Sequence, residues 1–234
     1  MSIPNGPDSD GAPDPSATLL VMQHVRNAIR AGRLSPGERV RERELTAACG
    51  VSRSAIREAL RALAAEGTIA LEHRRGAVVR QFSRAELWDY HQVREALEGL
   101  ACALAAGRAR LEDRRELLSL ERRMAACAES GETDDYLKLN QLFHALIVEM
   151  SGNPVIQQHL DRALTAQVRL QSARFIDAAA IRQSHAEHGA IVEAILNGDP
   201  AGAERAMRHH LRHTRRTFLE MPDSFVRPNG AEEG

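Results

Sequence analysis

The chain is predicted to be mainly α: three short helices and a small β-hairpin at the N-terminal side, then an antiparallel bundle of about six helices. Three observations predict this. Aromatic residues make up only 3% of the 234 residues, too few for the aromatic and β-branched faces that an all-β sandwich or barrel needs. Ala, Leu, Glu and Arg, all good helix formers, dominate instead. Apolar residues recur at i, i+3 and i+4 almost throughout, and the period changes to two only over residues 69–79.

Residues 1–16 hold four Pro, two Gly and three Asp and read as a disordered lead-in. Leu20, Val21, His24, Val25 and Ile29 place a helix from Ala17 to Gly32, and Ser35-Pro36-Gly37 is a turn. A short helix follows from about Arg41 to Cys49, with Leu45 and Ala48 inward. Gly50 suits its left-handed C-terminus, and Ser52 caps the next helix. That helix turns Ile56, Leu60 and Leu63 to the core and Arg53, Arg57 and Arg61 to the opposite side. Ile69–Leu71 and Ala77–Val79 form a hairpin around the basic tip Glu72-His73-Arg74-Arg75-Gly76.

Two helices at a tight Gly turn followed by a basic hairpin describe a winged helix-turn-helix over residues 17–80. Charge agrees. Residues 17–80 carry twelve Arg against six Glu, while the whole chain has a net charge of −1, so a basic head sits on an acidic body. Arg53 and Arg57 project where guanine edges would lie. Ser52 and Ser54 stand at a helix N-terminus, where backbone N–H groups attract phosphate. Gly76 lets the wing backbone approach a duplex, with Arg74 or Arg75 beside it.

The segment "AIRAGRLSPGERVRERELTAACGVSRSAIREALRALAAEGTIALEHRRGAVV" resembles the DNA-binding head of GntR-family transcription regulators. Gly50-Val51-Ser52-Arg53-Ser54, Arg57-Glu58-Ala59-Leu60 and Glu66-Gly67 carry the likeness. It implies contacts with double-stranded operator DNA through Arg43, Ser52, Arg53, Ser54, Arg57 and Gly76, with Arg75 added from the wing. Ser54-Ala55 replaces the small-Pro pair common in that family.

Beyond residue 83 everything reads helical, as an all-helical domain over 83–220. Ser83 and Glu86 fit a capping box, and Leu87, Val93, Leu97, Leu100 and Leu104 form the apolar positions of the first helix, to Gly107. Helices from about Leu111 to Ser130, Thr133 to Met150, Asn153-Pro154 to Ile176, Arg182 to Asn197 and Asp199-Pro200 to Leu219 follow. Residues 222–234 read as a flexible tail. In this bundle the phase of the apolar stripe turns His144, His188 and His210 inward. Three buried imidazoles need partners, and a divalent transition metal (zinc, nickel or another) satisfies them together.

"VREALEGLACALAA", "NQLFHALIVEMSGNPVI" and "HGAIVEAILNGDPAGAERAMRHHL" resemble the helical effector domain of the FadR-type branch of the same family. This implies a metal held at Asn140, His144, His188 and His210, with Asn140 where an Asp is usual, beneath a small organic acid effector. Arg94 is a candidate contact for that acid; an ion pair with Glu98 at i+4 is the competing role.

A zinc-dependent hydrolase on a DNA-binding head is the alternative, but no HExxH or similar motif supplies a general base. A regulator sensing its ligand without metal is the other. A two-fold operator calls for a homodimer. No apolar run approaches the roughly 18 residues of a membrane span, no secretory signal stands at the N-terminus, and three scattered cysteines suit a reducing, cytoplasmic setting.

Overall fold

The computed structural model describes residues 14–162, 176–220 and 222–227. They form two compact units. Residues 1–13, 163–175 and 228–234, including most of the expected lead-in, the end of the fourth bundle helix and part of the tail, lie outside the described residues.

The first unit contains α1 (Pro15–Arg30), α2 (Glu42–Cys49), α3 (Arg53–Ala65), the hairpin β1 (Ile69–Glu72) and β2 (Gly76–Val79), and β3 (Phe82–Ser83). α1 begins earlier than the periodicity suggests. Asp14 accepts a hydrogen bond from the Ser16 amide and Pro15 occupies the first turn, where its missing N–H leaves nothing unpaired. Gly50, at φ 65°, turns α2 into the loop before α3, a backbone state that a Cβ resists. Val21, Val25 and Ile29 of α1 meet Leu45 of α2, Ile56, Leu60 and Leu63 of α3, and Ile69 and Val79 of the hairpin in one core. Leu20 and Ala48 point to solvent rather than inward. The hairpin pairs antiparallel, Ile69 with Val79 and Leu71 with Ala77.

The C-terminal segment departs from the expected flexible tail. Asp223–Phe225 form a 3-10 turn, and β4 (Val226–Arg227) pairs in parallel with β3, Phe82 against Val226. Both of those side chains are buried, so apolar contact orders a segment whose composition reads as a tail.

The second unit is a bundle of α4 (Arg84–Arg108), α5 (Leu111–Ser130), α6 (Thr133–Met150), α7 (Pro154–Arg162), α8 (Ala178–Leu196) and α9 (Pro200–Leu219). Its helix starts are marked in the sequence. Asn153 Oδ1 accepts from the Val155 amide, Asp177 Oδ1 from Ala180 and Asp199 Oδ1 from Gly202. Leu117, Met124, Tyr136, Phe143, Ile147, Ile191, Ile195 and Met207 build the core.

α4 corrects the sequence reading. Val93 and Leu100, expected inward, are 49% and 44% exposed, while Arg94, Glu95 and Glu98 are buried. Leu97 and Leu104 pack on a side cluster with Val148, Ile156 and Leu160. The charged residues are inside because each has a partner there: Arg94 Nε lies 2.5 Å from Glu98 Oε1, and Glu95 Oε1 lies 2.8 Å from the Arg212 guanidinium of α9. Paired charges are stable where unpaired ones are not.

Replacing Leu63, fully buried in the first unit, by Ala is expected to cost about 2–5 kcal/mol. Chemical denaturation should register the loss. A change within error would show that the site repacks.

Candidate DNA-reading helix and candidate metal centre

The start of α3 is built from its cap. Ser52 Oγ accepts from the Ala55 amide at 3.3 Å and lies 3.0 Å from Ser54 Oγ. This sets Arg53 and Arg57 on the exposed side of the helix. Arg57 Nε is 3.6 Å from Glu42 Oε2. Arg43 and Arg53 are exposed and have no ion pair among the described residues. Arg61 pairs with Glu58 at 3.2 Å. In the wing, Arg75 lies 2.6 Å from Glu72 Oε2 and donates to the Gly37 carbonyl at 3.3 Å, so it braces the hairpin. Arg74 and Gly76 adopt positive φ, 65° and 75°, at the tip. Exposed ion pairs of this kind are worth little, and a phosphate can replace the carboxylate.

In the second unit, α6 carries Asn140 and His144 one turn apart, α8 carries His188 and α9 carries His210. The three imidazoles offer nitrogens within 4.8 Å of one another. His188 Nε2 and His210 Nε2 are 3.3 Å apart. All three side chains are buried. The equal distance of His188 and His210 from the Asn197–Pro200 turn thus brings their rings together, as the helical rise predicts.

Two carboxylates stand behind the rings. Glu98 Oε2 lies 2.5 Å from His144 Nδ1, and Glu187 Oε2 lies 3.0 Å from His210 Nδ1. An ionised carboxylate only accepts, so both Nδ1 atoms carry the proton and donate. The Nε2 lone pairs are left facing the middle. His144 Nε2, His188 Nδ1 and Asn140 Oδ1 are buried without a hydrogen-bond partner. Each such orphan costs about 1–3 kcal/mol. A cation between the ring nitrogens would take up the His144 Nε2 lone pair, and the Glu–His pairs have the form of carboxylate–imidazole–metal supports.

Burial also holds the rings neutral, the form that ligates. It pushes His144 down to about 4 despite the Glu98 carboxylate, drives His188 well below the usual imidazole range, and lowers His210. Glu98 joins this group to Arg94 through the 2.5 Å contact of its other oxygen. Glu187 accepts in addition from Gln183 Nε2 at 2.9 Å, and its Oε1 lies 2.9 Å from His213 Nδ1.

Arg94 therefore makes the ion pair expected as its competing role and also stands one residue removed from His144. Sequence reasoning saw Glu98 only as that partner and missed Glu187. The available signal was that every inward imidazole needs an acceptor on its outer nitrogen. Glu187 adjoins His188 in sequence, yet its target is His210 on the next helix. His185 lies 3.6 Å from Glu121, and His209 is on the exposed side of α9.

The sign of the pH dependence follows. Folded-state pKa values below the unfolded value of about 6.5 mean that the unfolded chain binds more protons. Metal-free protein should hold its full stability above about pH 6.5 and lose it as pH falls toward the depressed folded values. Denaturation midpoints at pH 7.5 and 5.5, with a His188→Leu comparison, test this. A midpoint independent of pH in the wild type would contradict neutral burial.

Comparisons with known proteins agree with both units. Residues 18–79 match "Bacterial regulatory proteins, gntR family", and residues 89–213 match the FCD domain. A protein of Paenarthrobacter nicotinovorans named "Probable D-xylose utilization operon transcriptional repressor" is 33% identical over 78% of this chain and 80% of its own length. The Escherichia coli HTH-type transcriptional repressor GlaR is 29% identical over 80% of this chain and 89% of its own. The solved structure of E. coli McbR/YncC shares the fold, with a TM-score of 0.72 and 21% identity over 86% of this chain and 96% of that one. No described helix is long and apolar enough to cross a membrane. With a basic winged head and a helical domain both matched, the chain belongs to the GntR family of bacterial regulatory proteins, in the branch that carries an FCD domain, and is a transcription regulator rather than an enzyme.

Proposed function

We propose that this regulator is a homodimeric, operator-binding repressor that senses a small organic acid at a metal-containing helical domain, residues 83–220, while residues 17–80 read DNA. Convergence of three buried imidazoles, two of them oriented by carboxylates, carries the metal part of the reading. Asn140, His144, His188 and His210 would hold a divalent transition metal, zinc or nickel. Such an ion supplies a Lewis-acidic position for a carboxylate. Arg94 would bear on the same acid: its guanidinium has five N–H donors, and Glu98 engages one edge. Glu98 and Glu187 are committed to imidazoles, which leaves neither as the base a hydrolase would need. The repressor sense is supported by relatives that carry that description.

For the head, Arg43, Ser52, Arg53, Ser54, Arg57, Arg75 and Gly76 form the proposed DNA contacts. Arg53→Ala and Arg57→Ala should each weaken operator binding by about 1–3 kcal/mol and relax base preference at one position per half-site. Affinity should fall steeply with salt, since phosphate contacts release counterions. Electrophoretic mobility shifts on the chain's own upstream DNA measure both. Wild-type binding by both variants would overturn the recognition-helix assignment.

For the bundle, His188→Ala with His210→Ala should abolish metal uptake and the response to acid, and spare DNA binding. Metal content by mass spectrometry, after chelation and reloading of untagged protein, is the readout. Substoichiometric metal under every condition would favour a regulator that senses its ligand without metal. Sedimentation should show a dimer at micromolar concentration.

A further inference from the structure

We propose that the C-terminal strand β4 is a working part of the DNA-binding unit: it braces the wing, and Gln81, Ser224 and Val226 are positioning residues for the wing's contact with DNA. This rests on the reading of Arg75 and Gly76 as DNA contacts and adds the residues that hold them in place.

Strand β2 of the wing is flanked by residues 37–40. The Gly37 amide donates to the Val79 carbonyl, the Val79 amide to the Glu38 carbonyl and the Val40 amide to the Ala77 carbonyl, each at 2.8 Å. The Gly37 carbonyl in turn accepts from the Arg75 guanidinium at 3.3 Å. The turn at Gly37 therefore sets where that guanidinium sits. Gly37 has φ 78°, and a Cβ there would stand 3.2 Å from Gln81 Oε1. The Gln81 carboxamide thus lies against the turn. Its nitrogen, Nε2, donates to the Ser224 carbonyl at 3.4 Å. One side chain joins the C-terminal segment to the turn that holds Arg75.

Backbone and apolar burial make the same link. β4 pairs in parallel with β3, Phe82 with Val226 and Ser83 with Arg227. So short a two-stranded ladder is marginal by itself. Burial secures it: Phe82 is 2% exposed and Val226 6%. The Arg80 guanidinium lies over the Phe82 ring, 5.0 Å from its centroid. The Arg80 amide donates to the Thr68 carbonyl at 3.2 Å, at the open end of the hairpin.

Phe82 and Val226 stand outside the core that joins α1, α2, α3 and the hairpin. Loss of β4 therefore loosens the wing and leaves α3 seated. Residues 222–234 group with residues 1–83 and not with the bundle. The DNA-binding unit thus takes in a second stretch of chain, which arrives from α9, the helix that carries His210.

The experiment measures affinity for the chain's own upstream DNA by fluorescence anisotropy over a series of salt concentrations, with circular dichroism on each variant. A chain ending at Arg227, and Val226→Ile in the full chain, should bind as wild type does. A chain ending at Met221, and Val226→Asp in the full chain, should each lose about tenfold in affinity. Their dependence of log affinity on log salt should become shallower by about 1, as one wing contact with phosphate is lost. Base preference at the positions read by α3 should stay as in the wild type. Gln81→Ala should lose about threefold, the share of one hydrogen bond.

Wild-type affinity and salt dependence in both the chain ending at Met221 and Val226→Asp overturn the brace. A loss accompanied by relaxed base preference shows support of the whole unit and overturns the positioning role. Gln81→Ala, at a half-buried position, tests the brace on a folded unit if loss of β4 unfolds it, and wild-type binding by that variant then overturns it. Arg75→Ala separates the two readings. If it binds as wild type does, the wing contact itself fails; if it binds weakly while loss of β4 has no effect, only the brace fails.

Discussion

Burial of three uncharged imidazoles at one point is the constraint on which the helical domain depends. Imidazole tolerates an apolar interior only if its N–H groups find acceptors, and Glu98 and Glu187 supply two of them. Those carboxylates then need partners of their own. Arg94 is drawn inward to meet Glu98, and Gln183 and His213 gather on Glu187. The polar interior of α4, with its apolar Val93 and Leu100 outside, follows from this chain of requirements rather than from any preference of the helix itself. Breaking one link would leave a buried charge, which is far more costly than the pair is stabilising.

The same constraint shapes what the site can bind. Acceptors on the outer nitrogens fix the tautomers of His144 and His210, so the inner lone pairs converge. Phe143 packs against His188 at a ring separation of 4.6 Å and closes one side of the group with an apolar surface. Ring orientation is thus set by carboxylates and by packing before any ligand arrives. Preorganised donors of this kind spend little free energy on reorganisation when a ligand enters.

The DNA-binding unit rests on a different principle. The candidate reading helix, α3, is short, and its placement follows from Gly50 at φ 65° and from the Ser52 cap. The apolar side of α3 is fully committed to α1 and the hairpin, which leaves the arginine side to solvent. Here almost everything was local. A glycine at a helix end, a capping serine and a switch from helical to alternating period each act within a few residues, so winged helix-turn-helix architecture could be read directly from the order of the letters.

Among the described residues, periodicity and local chemistry alone determined the order of the helices, the hairpin, and the inward phase of His144, His188 and His210. These depend on turn geometry and on how residues repeat along one helix. Tertiary structure decided the rest. Glu98 and Glu187 sit on other helices from the imidazoles they orient. Arg94 could have faced outward by composition alone, and the Asp223–Arg227 segment is ordered by a strand more than 140 residues earlier, shown by the contact of Gln81 with the Ser224 carbonyl. Each of these is a partnership between distant residues. A hydrophobic pattern scores each residue against water, and a charged side chain moves inside only when the fold delivers the opposite charge to meet it.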